Sequence, residues 1–224
     1  MELPATALAD PAWVAEDLRR ARHLHGSASP TVLSTIRWYS ASSVLVAPAL
    51  EPWVHIGVAR DPALEAVTLD VTADGRFLDA HSARTLRGGV ADLGTALAVT
   101  VNAAVTAFAH AGGASPRALW AVAVDSIANR LLWTAATAGK PDSAPLLADE
   151  LADHMKHAAG GLPGCVWNGS PLPRFVTVGD RLVVRRSSCC LLYEAPTSQA
   201  DKCASCPRQT PAQREQRLRL LLGP

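Results

Sequence analysis

RFVTVGDRLVVRRSSCCLLYEAPTSQADKCASCPR, Arg174 to Arg208, decides how this chain is organised. It opens with two short apolar runs joined by Gly179-Asp180, the pattern of a β-hairpin. It then carries four of the chain's 5 cysteines: Cys189, Cys190, Cys203 and Cys206. The residues before it are patterned mostly for helices. The expectation is therefore an α+β fold: a helix-rich body with short antiparallel strands over 1–170, and a C-terminal segment over 171–224 made of hairpin, cysteine loop and helix.

Upstream, residues 9–25 read as an amphipathic helix with Trp13, Val14, Leu18 and Ala21 near one face. Ser29-Pro30 starts a second, the serine as cap and the proline in the first turn, running from Thr31 to about Val46 and stopped by Pro48. PWVHIGVA (52–59) and AVTLDV (66–71) read as strands, and Asp74-Gly75 turns the latter into RFLDA as a hairpin. Two long helices follow, one from Val90 to about His110 closed by Gly112-Gly113, the next from Ser115-Pro116 through RALWAVAVDSIANRLLWTAATAG. Their short connection predicts antiparallel packing. A further helix spans about 145–159 and ends at Gly160-Gly161. At the far end, Thr210, Pro211 and Gln213 form a capping-box helix start, and Gly223 closes that helix.

With 224 residues, 49% of them hydrophobic, the chain can bury a core without disulfide staples. A net charge of +1, from 21 basic and 20 acidic residues, argues against a nucleic-acid binder. The first twenty residues carry Glu2, Asp10, Glu16 and Asp17 and lack the basic-then-apolar order of a secretion signal. A cytoplasmic location is expected, where cysteines persist as thiols or metal ligands. Residues 90–109 are long and apolar enough to span a bilayer. They are mostly Ala, Val and Thr and include Asp92 and Asn102, so a buried helix, and no membrane span, is expected.

C-x2-C is a chelate shared by zinc sites, redox dithiols and iron–sulfur proteins. The adjacent pair Cys189-Cys190 discriminates more. Neighbouring side chains of a strand point to opposite faces, so the backbone must leave the strand there, or the two thiols must serve different sides of an extended object. A two-iron cluster offers four ligand positions, two on each iron. The pattern CC-x12-C-x2-C thus leans toward a [2Fe–2S] cluster over a four-cysteine zinc site. Arg185, Arg186, Lys202 and Arg208 flank the cysteines and form a candidate rim for an anionic substrate or an electron partner.

The order of hairpin, basic pair, SCCLLY and CASCPR resembles the FhuF-like ferric-siderophore reductases, whose C-terminal C-C-x10-C-x2-C motif binds [2Fe–2S]. Here the gap, Leu191 to Lys202, is two residues longer. The resemblance covers roughly Arg185 to Arg208, with RALWAVAVDSIANRLL similar to a helix of those proteins. It implies Cys189, Cys190, Cys203 and Cys206 as cluster ligands, a body related to the siderophore synthetases, and one-electron reduction of Fe(III) in an imported siderophore of hydroxamate or citrate type. No flavin or nicotinamide motif appears, so an external donor such as a ferredoxin or reduced flavin is expected. Two other readings stand beside it: a zinc-stabilised scaffold, and a cluster-bearing carrier or sensor that does not act on siderophores.

Elsewhere the chemistry is sparse. His154 and His157, with Asp153, lack a third ligand in view and read as a solvated helix face. His55, His81 and His110 are isolated. Cys165 reads as a small buried hydrophobe, and Trp13, Trp38, Trp120 and Trp133 as core. Asn129-Arg130 reads as a helix-surface pair.

Overall fold

The computed structural model describes residues 1–169, 171–198 and 201–223. The boundary expected at residue 170 and two positions of the longer cysteine loop, Gln199 and Ala200, lie outside them. The architecture is α+β, as the sequence patterning predicts. Strand β1 (Glu2–Pro4) leads through a 3-10 turn to α1 (Pro11–Arg20), where the Asp10 carboxylate accepts from the Ala12 N–H at 2.9 Å. The helix expected over 9–25 breaks at Ala21 and resumes as the single turn α2 (Arg22–His25). Helix α3 (Pro30–Leu45) starts as expected, with Ser29 Oγ accepting from Val32 N–H at 3.3 Å.

The strand expected over 52–59 is a helix, α4 (Ala47–Ile56), closed by Gly57 in the left-handed region at φ 72°. Pro48 does not stop the chain; it occupies the first turn of α4, where its missing N–H has no helical partner to lose. A proline and three β-branched residues read locally as a strand, and burial of Ala47, Ala49 and Leu50 overrides that preference. The hairpin β2 (Val67–Val71) and β3 (Phe77–Ser82) forms as expected around Gly75 at φ 87°. Strand β1 adds to its other side, so all three run antiparallel in the order β1-β2-β3.

Helix α5 (Val90–Gly112) is the axis of the body. It is long and apolar enough to cross a membrane, yet it packs against α1, α3, α6 (Pro116–Thr137) and α7 (Ala144–Ala159). Leu93, Leu97, Val101, Ala104 and Phe108 supply its buried stripe. Two of its glycines permit close approach. A Cβ on Gly94 would lie 2.5 Å from His154 Cβ on α7, and one on Gly112 would lie 2.3 Å from Ser34 Cβ on α3. Gly94→Ala is expected to force α5 and α7 apart and to cost about 1–3 kcal/mol, the range for overpacked cores, read as a lower urea midpoint. Trp38 ties α3 to α6 by donating from Nε1 to Leu119 O at 2.8 Å, and to α5 by packing on Phe108, ring centroids 5.4 Å apart.

The hairpin β4 (Phe175–Val178) and β5 (Arg181–Val184) turns at Gly179, φ 66°, and β5 rests on α6. The last helix, α8 (Pro211–Leu222), carries the expected capping box: Thr210 Oγ1 accepts from Gln213 N–H, and Gln213 Oε1 accepts from Thr210 N–H.

A candidate thiol-lined metal centre

Beyond β5 the chain leaves the strand, the first of the two arrangements open to adjacent cysteines. Residues 185–190 are irregular, and Leu191 takes the left-handed conformation at φ 61°, the single positive-φ residue other than glycine among those described. That turn costs of order 1–2 kcal/mol for a residue with a Cβ. It folds the Leu191 N–H back onto Cys189 Sγ at 3.4 Å and lets both neighbouring thiols face inward. Cys189, Cys190 and Cys206 are buried, while Cys203 is exposed.

Two of the four thiols predicted as ligands meet directly, Cys189 Sγ lying 3.5 Å from Cys206 Sγ. Cys190 and Cys203 lie near enough for Cys190 to perturb the titration of Cys189 and Cys203. Among the described residues, no group of three or more His, Cys, Asp and Glu side chains is placed to hold a single metal ion as it stands. The Cys190 thiol titrates below the ordinary thiol range. Hydrogen bonds from Cys189 and Cys203 push its pKa down, the Leu192 N–H and Arg186 add to this, and the Cys189 and Cys203 pKa values rise in consequence. Cys165 stands apart, its Sγ facing Trp167 O at 4.0 Å.

Of the four basic residues in the predicted rim, only Arg186 is packed against thiols. It is 4% exposed. Its Nη1 donates toward Cys203 Sγ at 3.7 Å, and its guanidinium lies 4.8 Å from the centre of the Tyr39 ring. Lys202 and Arg208 instead close the cysteine loop on itself. Lys202 Nζ donates to Arg208 O at 3.1 Å and lies over Tyr193, and Arg208 donates to Tyr193 Oη at 2.8 Å and pairs with Glu194. Arg185 is exposed and joins the hairpin through its backbone, its N–H donating to Arg174 O at 2.8 Å.

A carboxylate on α6, outside the candidate site residues read from the sequence, organises the segment. Asp125, 2% exposed, accepts from Ser187 N–H at 2.9 and 3.0 Å and from Ser188 N–H at 2.9 Å, and lies 3.7 Å from Arg186 Nε. It thereby fixes the backbone immediately before Cys189-Cys190 and the cation beside Cys203. Its signal was present in LWAVAVDSIA: a lone acid within an apolar helical run, which burial obliges to find a partner.

Burial raises the Asp125 pKa from 3.8 to about 6, against the opposing pull of the two serine N–H groups and Arg186. The folded state thus binds this proton more tightly than the unfolded chain does, and stability falls as pH rises from about 4 to about 6. At about 1.4 kcal/mol for each pH step of one, the penalty present at neutral pH is ~3 kcal/mol. Urea midpoints of the wild type are expected to rise between pH 6.5 and pH 4.5 relative to Asp125→Asn, which carries no such proton.

The residues present fit an anionic cluster. Arg186 Nε and Nη2 are buried and have no hydrogen-bond partner, a costly state that acceptors bound among the thiols would relieve. Four thiols in one segment equal the number of ligand positions on a [2Fe–2S] centre. The candidate pair His154 and His157 on α7 joins no metal group among the described residues. Trp38 and Trp120 are core as expected and Trp13 is half-buried, but Trp133 is 57% exposed because its face of α6 looks outward beside Arg130.

The chain matches no protein-family model, no curated protein and no solved structure.

Proposed function

We propose that this protein reduces Fe(III) held in an imported siderophore by one electron, using a [2Fe–2S] cluster ligated by Cys189, Cys190, Cys203 and Cys206. The contact of Cys189 with Cys206 at 3.5 Å, with Cys203 3.7 Å from a buried guanidinium whose other nitrogens lack hydrogen-bond partners, carries this reading. The motif's resemblance to the FhuF-like reductases supports it. When bound, the cluster supplies a one-electron couple whose potential depends on charge, hydrogen bonding and exposure. Arg186 and Asp125 set those variables: the guanidinium offers N–H donors and positive charge to the sulfur face, and the carboxylate holds it there. Cys203, the exposed ligand, marks the side on which partners approach. The electron comes from an external cytoplasmic donor, a ferredoxin or a reduced flavin, and ends on the siderophore iron. Oxygen-donor chelators hold Fe(II) far more weakly than Fe(III), so one electron frees the metal.

Protein purified without oxygen is expected to be red-brown, with about two irons and two sulfides per chain. Colourless, sulfide-free protein holding zinc would replace this reading with a structural zinc site. In stopped flow, the dithionite-reduced protein is expected to be reoxidised by ferric hydroxamate or ferric citrate. Reoxidation only by oxygen or by another protein would mark a carrier or sensor.

A further inference from the structure

A cavity of about 280 Å³ opens between α3 and α6, with Arg186 and Ser205 of the cysteine segment in its wall. Arg186 and Ser205 form its inner wall, and both touch the exposed ligand: Arg186 Nη1 lies 3.7 Å and Ser205 Oγ 3.9 Å from Cys203 Sγ. A molecule seated there is one side chain away from the candidate cluster. Arg130 and Trp133 of α6 form the outer wall, the guanidinium 5.3 Å from the Trp133 ring centre. Arg130 is held by Glu51 at 2.7 Å and by Ser43 O at 2.8 Å, which occupy two of its five donors and leave the others for a ligand. Ser43 and Asn129 add further polar groups.

The lining thus offers one reachable guanidinium, Arg130, with Arg186 buried behind it, several hydroxyls and no carboxylate. Such a wall favours oxyanions. Its volume falls just below the range of drug-sized ligand pockets, about 300–1,000 Å³, a size suited to a compact chelate. We infer that this cavity is the substrate-binding site, and that it takes small, anionic, carboxylate-type chelates of Fe(III) in preference to neutral or cationic hydroxamate chelates. The choice of iron as the chelated metal rests on the reductase reading; the preference for a compact oxyanion rests on the lining.

Titration calorimetry with redox-inert Ga(III)–citrate, on protein as isolated without oxygen, tests this. Wild type is expected to bind Ga(III)–citrate at least ~10-fold more tightly than the cationic Ga(III) complex of a linear trihydroxamate, the scale of one charge-assisted contact. Arg130→Gln is expected to weaken Ga(III)–citrate about 10-fold or more. Trp133→Glu, on an exposed side chain, places a like charge at the mouth and is expected to abolish the preference. Iron content, sulfide content and visible spectrum are expected to match wild type in both variants, which separates a lost pocket from a lost fold. Iron- and sulfide-replete protein that gives no heat with Ga(III)–citrate overturns the site and leaves the reductase reading intact. So does binding that both variants leave unchanged, and equal affinity for metal-free citrate overturns the chelate assignment. Colourless protein that binds Ga(III)–citrate through Arg130 removes the reductase reading and keeps the anion site.

Discussion

Asp125→Ala is expected to lower the unfolding free energy by about 3–5 kcal/mol, the cost of stripping one partner from a buried ion pair. Two backbone N–H groups lose their acceptor at the same time, and Arg186 is left as a buried cation facing only thiols and the Tyr39 ring. The ionised carboxylate is itself held at a cost, as its raised pKa records. Its removal is nonetheless worse than its presence, because the guanidinium remains charged: neighbouring anionic groups push the Arg186 pKa further up against the pull of burial. Chemical denaturation reads the loss. The double variant Asp125→Ala with Arg186→Met separates the pair from the backbone anchor: a coupling energy of about 0.5–3 kcal/mol is the expected sign that the two residues act together. Additive losses would mean that Asp125 acts only through Ser187 and Ser188.

Cys189→Ser and Cys206→Ser are each expected to take iron from about two atoms per chain to near none, since each removes a thiolate from an assembly with four ligand positions. These two thiols are 3.5 Å apart, so loss of either undoes the same pair. Cys165→Ser is expected to keep its full iron and its visible spectrum, because that thiol faces Trp167 O away from the others. Iron and acid-labile sulfide assays on protein purified without oxygen decide between these outcomes. A bleached Cys165→Ser protein with wild-type circular dichroism would overturn the ligand assignment.

Much of the fold was legible because its punctuation is local. Ser29-Pro30, Asp74-Gly75, Gly179-Asp180 and the Thr210 capping box each announce a start or a turn through the chemistry of two to four residues, and the structure places a start or a turn at all four. Residues 52–59 misread for the converse reason. Their local preference is extended, while packing of Ala47, Ala49 and Leu50 wins the segment for helix. Strand β1 has no periodicity to detect in three residues, and pairing with β2 alone makes it a strand. At the site, spacing singles out the four cysteines as candidates, and the fold brings Cys189 and Cys206 to 3.5 Å of each other. The partition of the basic residues into one buried cation and two loop ties is set by contacts across long sequence distances. Asp125 reaches Ser187 over 62 residues, a distance no window reads.

That same separation gives the chain a built-in order of assembly. During synthesis α6 emerges well before the hairpin and the thiols, so the carboxylate that receives the cysteine segment belongs to a body already able to fold. Cys189, Cys190 and Cys206 then bury against a waiting cradle on leaving the ribosome, while Cys203 stays open to solvent. Were the proposed cluster bound, its iron and sulfide would arrive last, on a folded acceptor.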